Sequence, residues 1–526
     1  MNFHQNGPGR RHALAAAAAL AALAPAAAPA MDTFFVGARG QGMAGSLTAA
    51  VDDVDAQYYN PAAFGFFGRT DSGGEQLAQD NNNLGRKDFG LGVDVGVGAR
   101  IHGDLLDYAD RLSEYDYEQF DDGIQDTQEA GELMSAFSDL NGIGQPGNAM
   151  VADFNAGAGL RIRQAGIGVR SYLQAGAVAE LDKADLRPAD YSLDQLGDDL
   201  SSVSTDSSID KLNDDQEKRL DSLLQEEVDS GNLTTDQKET AINALDDAAQ
   251  ENDLSDKEVE EAVSLIEDTY SSSTTSGAVA DGGLSTSDND TALILRGFQL
   301  VEVPVTYGHA FDDPAFVGGE WSVGANLKLM RGTVYANKVY VLREDADDNL
   351  MSDLRNESKT SSTIGVDVGV MGRYEWINVG LMARNVNSPT FDGTTVTMSD
   401  NSTLKVSDVT VDPQVRAGVA FIPFNTLTLE GDLDLTENET ILAGYHTQYA
   451  SVGLEWDAFR FLALRGGFYE NLAEDDIGRV YTAGLGLNLW LLRLDLGAAM
   501  SADTTEVDGE DIPKVVRANA EVTIDF

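Results

Sequence analysis

The glycine-rich run Gly40-Gln41-Gly42-Met43-Ala44-Gly45 has the G-x-G-x-x-G spacing of a dinucleotide-binding loop. In such a loop the glycines let the backbone approach a pyrophosphate, and the motif joins a strand to a helix within a βαβ unit. The residues around Gly40 show no strand before the motif and no second strand after it. The spacing alone is weak support for a nucleotide, and we predict no cofactor.

Two residues could be taken for the base and the nucleophile of a hydrolase. His309 and Ser322 are placed to face each other across a short predicted turn. A nucleophile and its base also need an orienting group and an oxyanion site, and the sequence offers neither. We therefore predict that the protein is not an enzyme and has no catalytic residue.

A group of oxygen-bearing side chains could hold calcium. Asp345, Asp347, Asn349 and Asp353 lie close together in a predicted surface loop. Ca²⁺ prefers such ligands, but charged loops are more often simply solvated. We predict no metal site and keep these four residues as the candidate calcium ligands.

The first 30 residues have the order of a secretory signal peptide. Arg10 and Arg11 precede an apolar run from residue 13 to 23, and Ala28-Pro29-Ala30 has the form of a cleavage site. An alanine-rich tail is the alternative. We predict a signal peptide at 1–30, with Met31 as the first mature residue.

Composition excludes several classes of protein. The chain has 526 residues, no Cys and a net charge of −53, from 35 basic and 88 acidic residues. This charge excludes the usual basic nucleic-acid binder, and we predict no nucleic acid as a partner. Beyond the signal, no apolar run approaches the ~18 residues of a membrane-spanning helix.

Period-two alternation is the main structural signal. Leu91, Val93, Val95 and Val97 alternate with glycine or polar residues, which predicts a strand whose two faces meet different surroundings. We predict fourteen strands at about 88–101, 150–162, 166–180, 293–311, 319–343, 361–375, 377–386, 413–422, 425–436, 446–456, 459–470, 479–489, 491–501 and 515–526.

The connections between these strands alternate long and short without exception. Short ones follow residues 162, 311, 375, 422, 456 and 489. A soluble sandwich has no reason to obey this rule, whereas an outer-membrane barrel has short periplasmic turns and long surface loops. We predict an all-β fold, a transmembrane antiparallel β-barrel of about 14 strands.

Several stretches resemble a known family. The run Gly37 to Gly65, with Asn60, Pro61 and Ala62, is similar to the opening of the FadL-like superfamily of outer-membrane barrels. GLMARNVNSPTF (380–391), EGDLDLTENET (430–440) and LALRGGFYENL (462–472) resemble its conjugal-transfer TraF-like branch. A thioredoxin-like protein shares the TraF name but needs cysteines, which this chain lacks.

The resemblance implies a plug inside the barrel. It places an N-terminal lumenal plug at 31–87 and the barrel at 88–526, in the outer membrane of a Gram-negative bacterium. Gly40, Gly42, Gly45, Asn60, Pro61 and Ala62 form the plug motif, because small residues allow close packing and Pro61 fixes a turn. A flexible surface arm is the alternative. The implied partners are outer-membrane lipid and lipopolysaccharide, the outer-membrane assembly machinery and a hydrophobic solute.

A polar insert at 181–290 departs from the family. It carries 30 acidic and 7 basic residues, a net charge of −23. Capping boxes at Thr234–Gln237 and Ser255–Glu258 predict helices at about 214–229, 234–249 and 255–269 in an extracellular domain. Disorder is the competing interpretation, because the insert is highly charged.

Two functions remain open from the sequence. The first is binding or passive passage of hydrophobic small molecules, as the FadL-like resemblance implies. The alternative is a structural or cell-contact protein, associated with conjugal transfer and without transport. An apolar pocket against the plug would favour passage, and a lumen filled with paired charges would favour the alternative.

Overall fold

A computed structural model describes residues 31–69, 87–115, 123–145, 147–181, 192–205, 211–271, 291–312, 319–340, 358–397, 403–458, 461–507 and 509–526. The predicted signal peptide and the candidate calcium ligands Asp345, Asp347, Asn349 and Asp353 lie outside these residues. No helix of the described ranges is both long and apolar enough to cross a membrane.

Fourteen antiparallel strands form a closed barrel. They are β1 (Phe89–His102), β2 (Ala149–Ile162), β3 (Ala165–Glu180), β4 (Ala292–Asp312), β5 (Glu320–Tyr340), β6 (Lys359–Arg373), β7 (Ile377–Arg384), β8 (Gln414–Phe424), β9 (Leu427–Asp434), β10 (Tyr449–Ala458), β11 (Leu462–Asn471), β12 (Val480–Leu489), β13 (Leu492–Ser501) and β14 (Val515–Asp525). Every predicted boundary lies within three residues of the observed one. The predicted fold class is confirmed.

The barrel closes where β1 pairs with β14. Their register runs from Gly90 opposite Asp525 to Arg100 opposite Val515. At the turn end the rings of Phe89 and Phe526 stack, with their centroids 5.1 Å apart. No edge of the sheet remains unpaired, which is how a barrel satisfies its backbone in an apolar solvent.

The two faces of the wall differ in polarity. On β1, Val93, Val95 and Val97 point outward and are 53%, 45% and 59% exposed, while Asp94 between them points inward and is 5% exposed. The other strands repeat the alternation of exposed and buried residues, so apolar side chains cover the outside, while most of the polar side chains of the strands face the lumen. The inside is filled because the barrel encloses the start of the chain.

The N-terminal segment (residues 31–67) lies inside the ring of strands. It contains two short helices, α1 (Gly37–Gly42) and α2 (Ala56–Tyr59), and a 3₁₀ helix over Pro61–Phe66. Side chains from every side of the ring bond to its backbone or side chains: Arg170, Thr306, Asn326, Asn378, Ser451, Thr482 and Asn519.

Among the described residues, six helices lie beside the barrel, and five of them share a second core. They are α3 (Leu105–Glu114), α4 (Thr127–Ile143), α5 (Leu193–Ser202), α6 (Asp214–Ser230), α7 (Thr235–Glu251) and α8 (Asp256–Ser271). Leu and Ala side chains of α4 to α8 pack into one cluster. The last three helices match the sequence prediction, whereas α3, α4 and α5 were not predicted.

Candidate functional site

The lumen is the candidate site, because the N-terminal segment meets the inner face of the wall there. Helix α1 begins against a wall carboxylate: the backbone N–H groups of Ala38 and Arg39 point to Glu521 Oε2, at 3.0 and 3.5 Å. These groups have no partner within a helix, so an external acceptor satisfies them. The N-terminus of α1, just before the glycine motif, thus meets a protein carboxylate.

The three motif glycines fill different roles. A Cβ at Gly40 would overlap the hydroxyl of Tyr59, which donates to the carbonyl of Val36 at 2.8 Å. A Cβ at Gly42 would lie 3.0 Å from the Cα of Gly484, so two backbones meet there. Gly45 has φ of +77°, and its Cβ would lie 2.7 Å from the Phe35 ring.

Asn60, Pro61 and Ala62 turn the chain along the wall. Asn60 Oδ1 accepts from the N–H of Ala62 at 3.1 Å, and Asn60 Nδ2 donates to the carbonyl of Thr48 at 2.9 Å. Pro61 begins the 3₁₀ helix and packs so closely on Gly324 that a Cβ there would overlap the proline carbonyl. Asn60 therefore links the 3₁₀ helix to the stretch of the segment around Thr48.

Two carboxylates of β9 hold the middle of the segment. Asp432 Oδ2 accepts from the N–H groups of Leu47 and Thr48 at 3.2 and 3.1 Å, and Glu430 accepts from the N–H of Ala49 at 2.5 Å. Bonds from N–H to carboxylate are stronger than neutral ones. Sequence analysis did not assign these residues a role, although the acidic alternation of β9 was visible.

A network of buried ion pairs ties α1 to strands β10, β11 and β13. Arg39 donates to Glu455 at 2.8 and 2.9 Å and to Asp52 at 2.5 Å. Arg465 bonds Glu455 at 2.5 Å and Asp495 at 2.6 Å. Arg493 continues the chain, bonding both Asp495 and Asp53 at 2.7 Å. We call Arg39, Asp52, Asp53, Glu455, Arg465, Arg493 and Asp495 the charged network.

Two carboxylates of the segment have shifted pKa values. Burial alone would raise the pKa of Asp53, but Arg493 and Arg39 hold it below the usual range. Burial raises the pKa of Asp55 to about 6, with Arg170 opposing the shift and Asp53 adding to it. Because this value lies above the usual 3.8, ionising Asp55 as the pH rises through about 6 weakens the seated segment.

The opposite side of the lumen contains a large apolar cluster beside the polar side chains of the wall. The Phe34 and Tyr172 rings lie 5.0 Å apart, and the Phe298 and Phe391 rings 5.3 Å apart. These residues belong to one buried cluster that runs to the N-terminal segment from the loop residues Phe391, Val406, Val409, Val411, Ile441 and Leu442. We call Phe34, Tyr58, Tyr172, Phe298, Leu300, Met330, Val334, Phe391, Val409, Val411 and Leu442 the apolar seam.

A small cavity lies between the apolar seam and α2. Tyr58, Tyr172 and Leu300 line one side of it, and Glu302 and Lys328 line another. It offers about 20 Å³ to water-sized molecules, enough for roughly one water. In this conformation the lumen is closed to any larger solute at this point.

A comparison with protein families identifies the chain. The family described as "F plasmid transfer operon, TraF, protein" matches residues 57–434, which is well over half of the sequence. The chain belongs to this TraF family. The match begins within α2 and ends at the last residue of β9, so it includes Asn60, Glu430 and Asp432.

Solved barrels are similar to this TraF family chain. The Ralstonia pickettii toluene transporter TbuX is 12% identical, with a TM-score of 0.41, covering 93% of this chain and 97% of its own. The P. putida toluene transporter TodX is 10% identical, with a TM-score of 0.39 and coverages of 93% and 96%. A Pseudomonas aeruginosa FadL homologue is 9% identical, with a TM-score of 0.39 and coverages of 95% and 99%. No curated protein matches the chain.

The remaining candidate residues do not form a site. Ser322 points into the lumen and donates to the backbone carbonyl of His309 at 3.1 Å, while the His309 ring is exposed outside beside Phe311. The two side chains lie on opposite faces of the wall, so they cannot act together. Among the described residues, no three His, Cys, Asp or Glu side chains are grouped to hold a metal ion.

Proposed function

We propose that this TraF family chain is an outer-membrane barrel that binds or passes hydrophobic small molecules when its N-terminal segment shifts. The apolar outer face and polar lumen suit a barrel that spans a bilayer. We place this wall in the outer membrane of a Gram-negative bacterium, with the outer-membrane assembly machinery as a partner. The segment acts as the plug of this barrel.

The apolar seam carries the proposal. It is continuous from the loop residues around Phe391 to Phe34 and Tyr58 of the plug. Ligand sites for hydrophobic molecules are lined by such aromatic and aliphatic side chains, with a few polar groups. Glu302, Lys328 and Gln57 supply polar groups beside the seam. A solute would follow the seam inward from the long loops.

The plug must move for a solute to pass. Its contacts with the seam are apolar and can be replaced by those of an apolar solute, at little cost in free energy. Its contacts with the charged network need specific partners. We infer that the plug pivots on the charged network and opens along the seam.

A second candidate is a structural or cell-contact protein without transport. Paired charges fill much of the lumen, and the cavity at the seam has room for roughly one water. The helices α4 to α8 form a compact acidic domain that a partner on another cell would meet. The two candidates differ in whether the plug opens along the seam, which is the difference to test.

Uptake of a hydrophobic dye separates the two candidates. Intact Gram-negative cells expressing the chain are mixed with N-phenylnaphthylamine, which fluoresces on reaching membrane phospholipid. Phe391→Ala removes a ring from the seam, and Phe154→Ala removes one from the outer face of β2. If the chain passes solutes, Phe391→Ala should take up the dye faster than the unsubstituted chain, and Phe154→Ala should not. If both substitutions and a deletion of residues 37–59 leave the uptake rate equal to that of the unsubstituted chain, the structural candidate is supported.

A further inference from the structure

Two buried carboxyl groups lie side by side under the middle of the N-terminal segment. Glu430 and Asp432 share the inner face of β9, because alternate residues of a strand point the same way, and they are 0% and 4% exposed. Their side chains are in hydrogen-bonding contact with each other. In the part of the chain that the structure describes, neither forms an ion pair, whereas Asp434, Glu455 and Asp495 each bond a guanidinium.

The cations that face this pair are bonded to other carboxylates. Arg416 of β8 bonds Asp434 at 2.6 Å, and Arg39 of α1 bonds Glu455 at 2.8 and 2.9 Å. The other facing residues on β8, on β10 and on the segment carry no charge: Gly418, Ala420, Ser451, Gly453, Leu47, Thr48 and Ala49. The pair therefore has no cation of its own.

The hydrogen bonds of the pair leave one oxygen of each group without a donor. Glu430 Oε1 accepts from the N–H of Ala49, and Asp432 Oδ2 accepts from the N–H groups of Leu47 and Thr48 and from the Thr48 hydroxyl. Glu430 Oε2 and Asp432 Oδ1 are buried and have no partner among the described side chains and backbone. Two ionised groups placed in this way would repel each other and lose their hydration. A proton on Glu430 Oε2 that bonds Asp432 Oδ1 removes one charge and satisfies both oxygens.

We propose that the Glu430–Asp432 pair holds one proton while the plug is seated and releases it when residues 47–49 leave, so that opening of the plug is coupled to pH. Departure of these residues removes the N–H donors and lets water reach both groups. The O–H bond of Glu430 then breaks and its proton passes to water, because hydrated carboxyl groups are ionised at neutral pH. The inference rests on the plug movement of the proposed function.

The direction of the coupling follows from the proton count. The seated plug binds one proton more than the open plug, so its stability falls as the pH rises above about 4, where hydrated carboxyl groups ionise. One proton changes the opening equilibrium constant by up to about tenfold per pH unit. At lower pH the carboxylates of the charged network also take up protons, so the coupling is measured above about pH 5.

Amide hydrogen exchange of the full chain in detergent measures the coupling. Exchange rates at residues 47–49 are divided by the intrinsic rates at each pH from about 5.5 to about 8, which gives the opening equilibrium constant. We expect this constant to rise about tenfold per pH unit over part of the range. A constant that does not change with pH in the unsubstituted chain would overturn the proposal.

Two amide variants show which carboxyl group carries the proton. Glu430→Gln keeps an acceptor for Ala49 and a donor for Asp432 but has no proton to release, so opening at 47–49 should no longer depend on pH. Asp495→Asn is the matched control, because Asp495 bonds Arg465 and Arg493 instead of a second carboxyl group. It should lower the protection of α1 and keep the pH dependence at 47–49. Unchanged pH dependence in Glu430→Gln, or its loss in both variants, would contradict the assignment.

Asp55 is a separate source of pH dependence. Burial raises its pKa to about 6, so residues 53–57 should open more readily above that pH in Glu430→Gln as well as in the unsubstituted chain. Infrared spectra near neutral pH detect the proposed proton without any opening. The band of protonated carboxyl groups should be stronger in the unsubstituted chain than in Glu430→Gln, and equal bands would overturn the proposal.

The outcomes separate this inference from the proposed function. Heat-modifiable migration shows whether each variant has formed its barrel. Opening that is independent of pH in a chain that takes up the dye contradicts the shared proton alone. A pH-dependent opening without dye uptake contradicts solute passage alone, and the absence of both opening and uptake contradicts the two together.

Discussion

The two sides of the lumen hold the N-terminal segment by different physics. On the side of β10 to β13, Arg39 and its partners meet in buried ion pairs at 2.5 to 2.9 Å. On the side of β3 to β5, Phe34 and Tyr58 meet aromatic and aliphatic side chains of the apolar seam. The first surface contains the charged network, whereas the second combines the apolar seam with the Arg170–Asp55 ion pair and the hydrogen bond from Gln57 to Thr306.

This difference predicts where the segment is fixed and where it can move. Removing one partner of a buried ion pair leaves an uncompensated charge, so the charged network resists any displacement. Apolar contacts lose little when one apolar group replaces another, so the seam tolerates rearrangement. Substitutions in the charged network should therefore release the segment, whereas substitutions in the apolar seam should loosen only the part of the segment that contacts the seam.

The largest effect is expected at Arg39. Arg39→Met leaves Asp52 without that guanidinium and Glu455 dependent on Arg465. We expect the opening free energy of residues 37–49 to fall by about 3–5 kcal/mol, the cost of breaking a buried pair. Amide hydrogen exchange of the detergent-solubilised barrel measures this opening.

A double variant tests the cause. Arg39→Met combined with Glu455→Gln neutralises a carboxylate that has lost one of its two guanidinium partners, so part of the protection should return. The amides of the barrel strands serve as an internal control and should keep their protection. Unchanged exchange at 37–49 in Arg39→Met would show that the charged network does not fix the segment.

A substitution in the apolar seam should loosen a different part of the segment from the part that Arg39 holds. Leu300 is fully buried and lines the cavity beside Tyr58. Leu300→Ala should cost about 2–5 kcal/mol of local stability through the cavity it leaves. We expect faster exchange at Tyr58 and Tyr59 and faster dye uptake, with residues 37–49 still protected. Loss of protection at 37–49 would contradict the division of the lumen into two sides.

Close packing of backbone on the charged side gives a smaller effect. Gly42→Leu would press against the Cα of Gly484 and the side chain of Arg465. We expect it to destabilise the seated segment by about 1–3 kcal/mol through overpacking and to raise single-channel conductance in planar bilayers. Gly431→Leu, on the outer face with open space, is the control. Similar conductance of Gly42→Leu and Gly431→Leu would show that close packing at Gly42 does not hold the segment in place.

The barrel was predictable from the sequence, because its wall separates two environments. Each residue of β1 meets either an apolar exterior or a polar lumen, so Val93 and Asp94 differ in a way that period-two alternation records. The alternation predicted the fourteen strands, and the rhythm of long and short connections distinguished an outer-membrane barrel from a sandwich. Helices α6 to α8 were equally visible, because capping residues such as Thr234 mark their starts.

The contacts inside the lumen were not predictable from the sequence. Gly42 meets Gly484 from a distant strand, and no local pattern links the two. Arg39 and Glu455 are likewise far apart in the chain, and the sequence has many acidic residues that could have paired with Arg39. Helix α4 was missed because Ser138, Asp139 and Asn141 are buried on it, which obscures its apolar stripe.

The smallest expected effect is at Asn60, where the seam side of the segment joins the rest. Its Oδ1 caps the 3₁₀ helix at Ala62, and its Nδ2 donates to the carbonyl of Thr48. Asn60→Ser keeps an acceptor for the cap and removes the donor, whereas Asn60→Ala removes both. Loss of a cap costs about 1 kcal/mol, so the alanine variant should open more readily at residues 60–66 than the serine variant, by hydrogen exchange. Residues 37–42 should not change in either, because the charged network holds them independently. If both variants release 37–42 together with 60–66, the segment moves as one rigid body, and a pivot on the charged network is wrong.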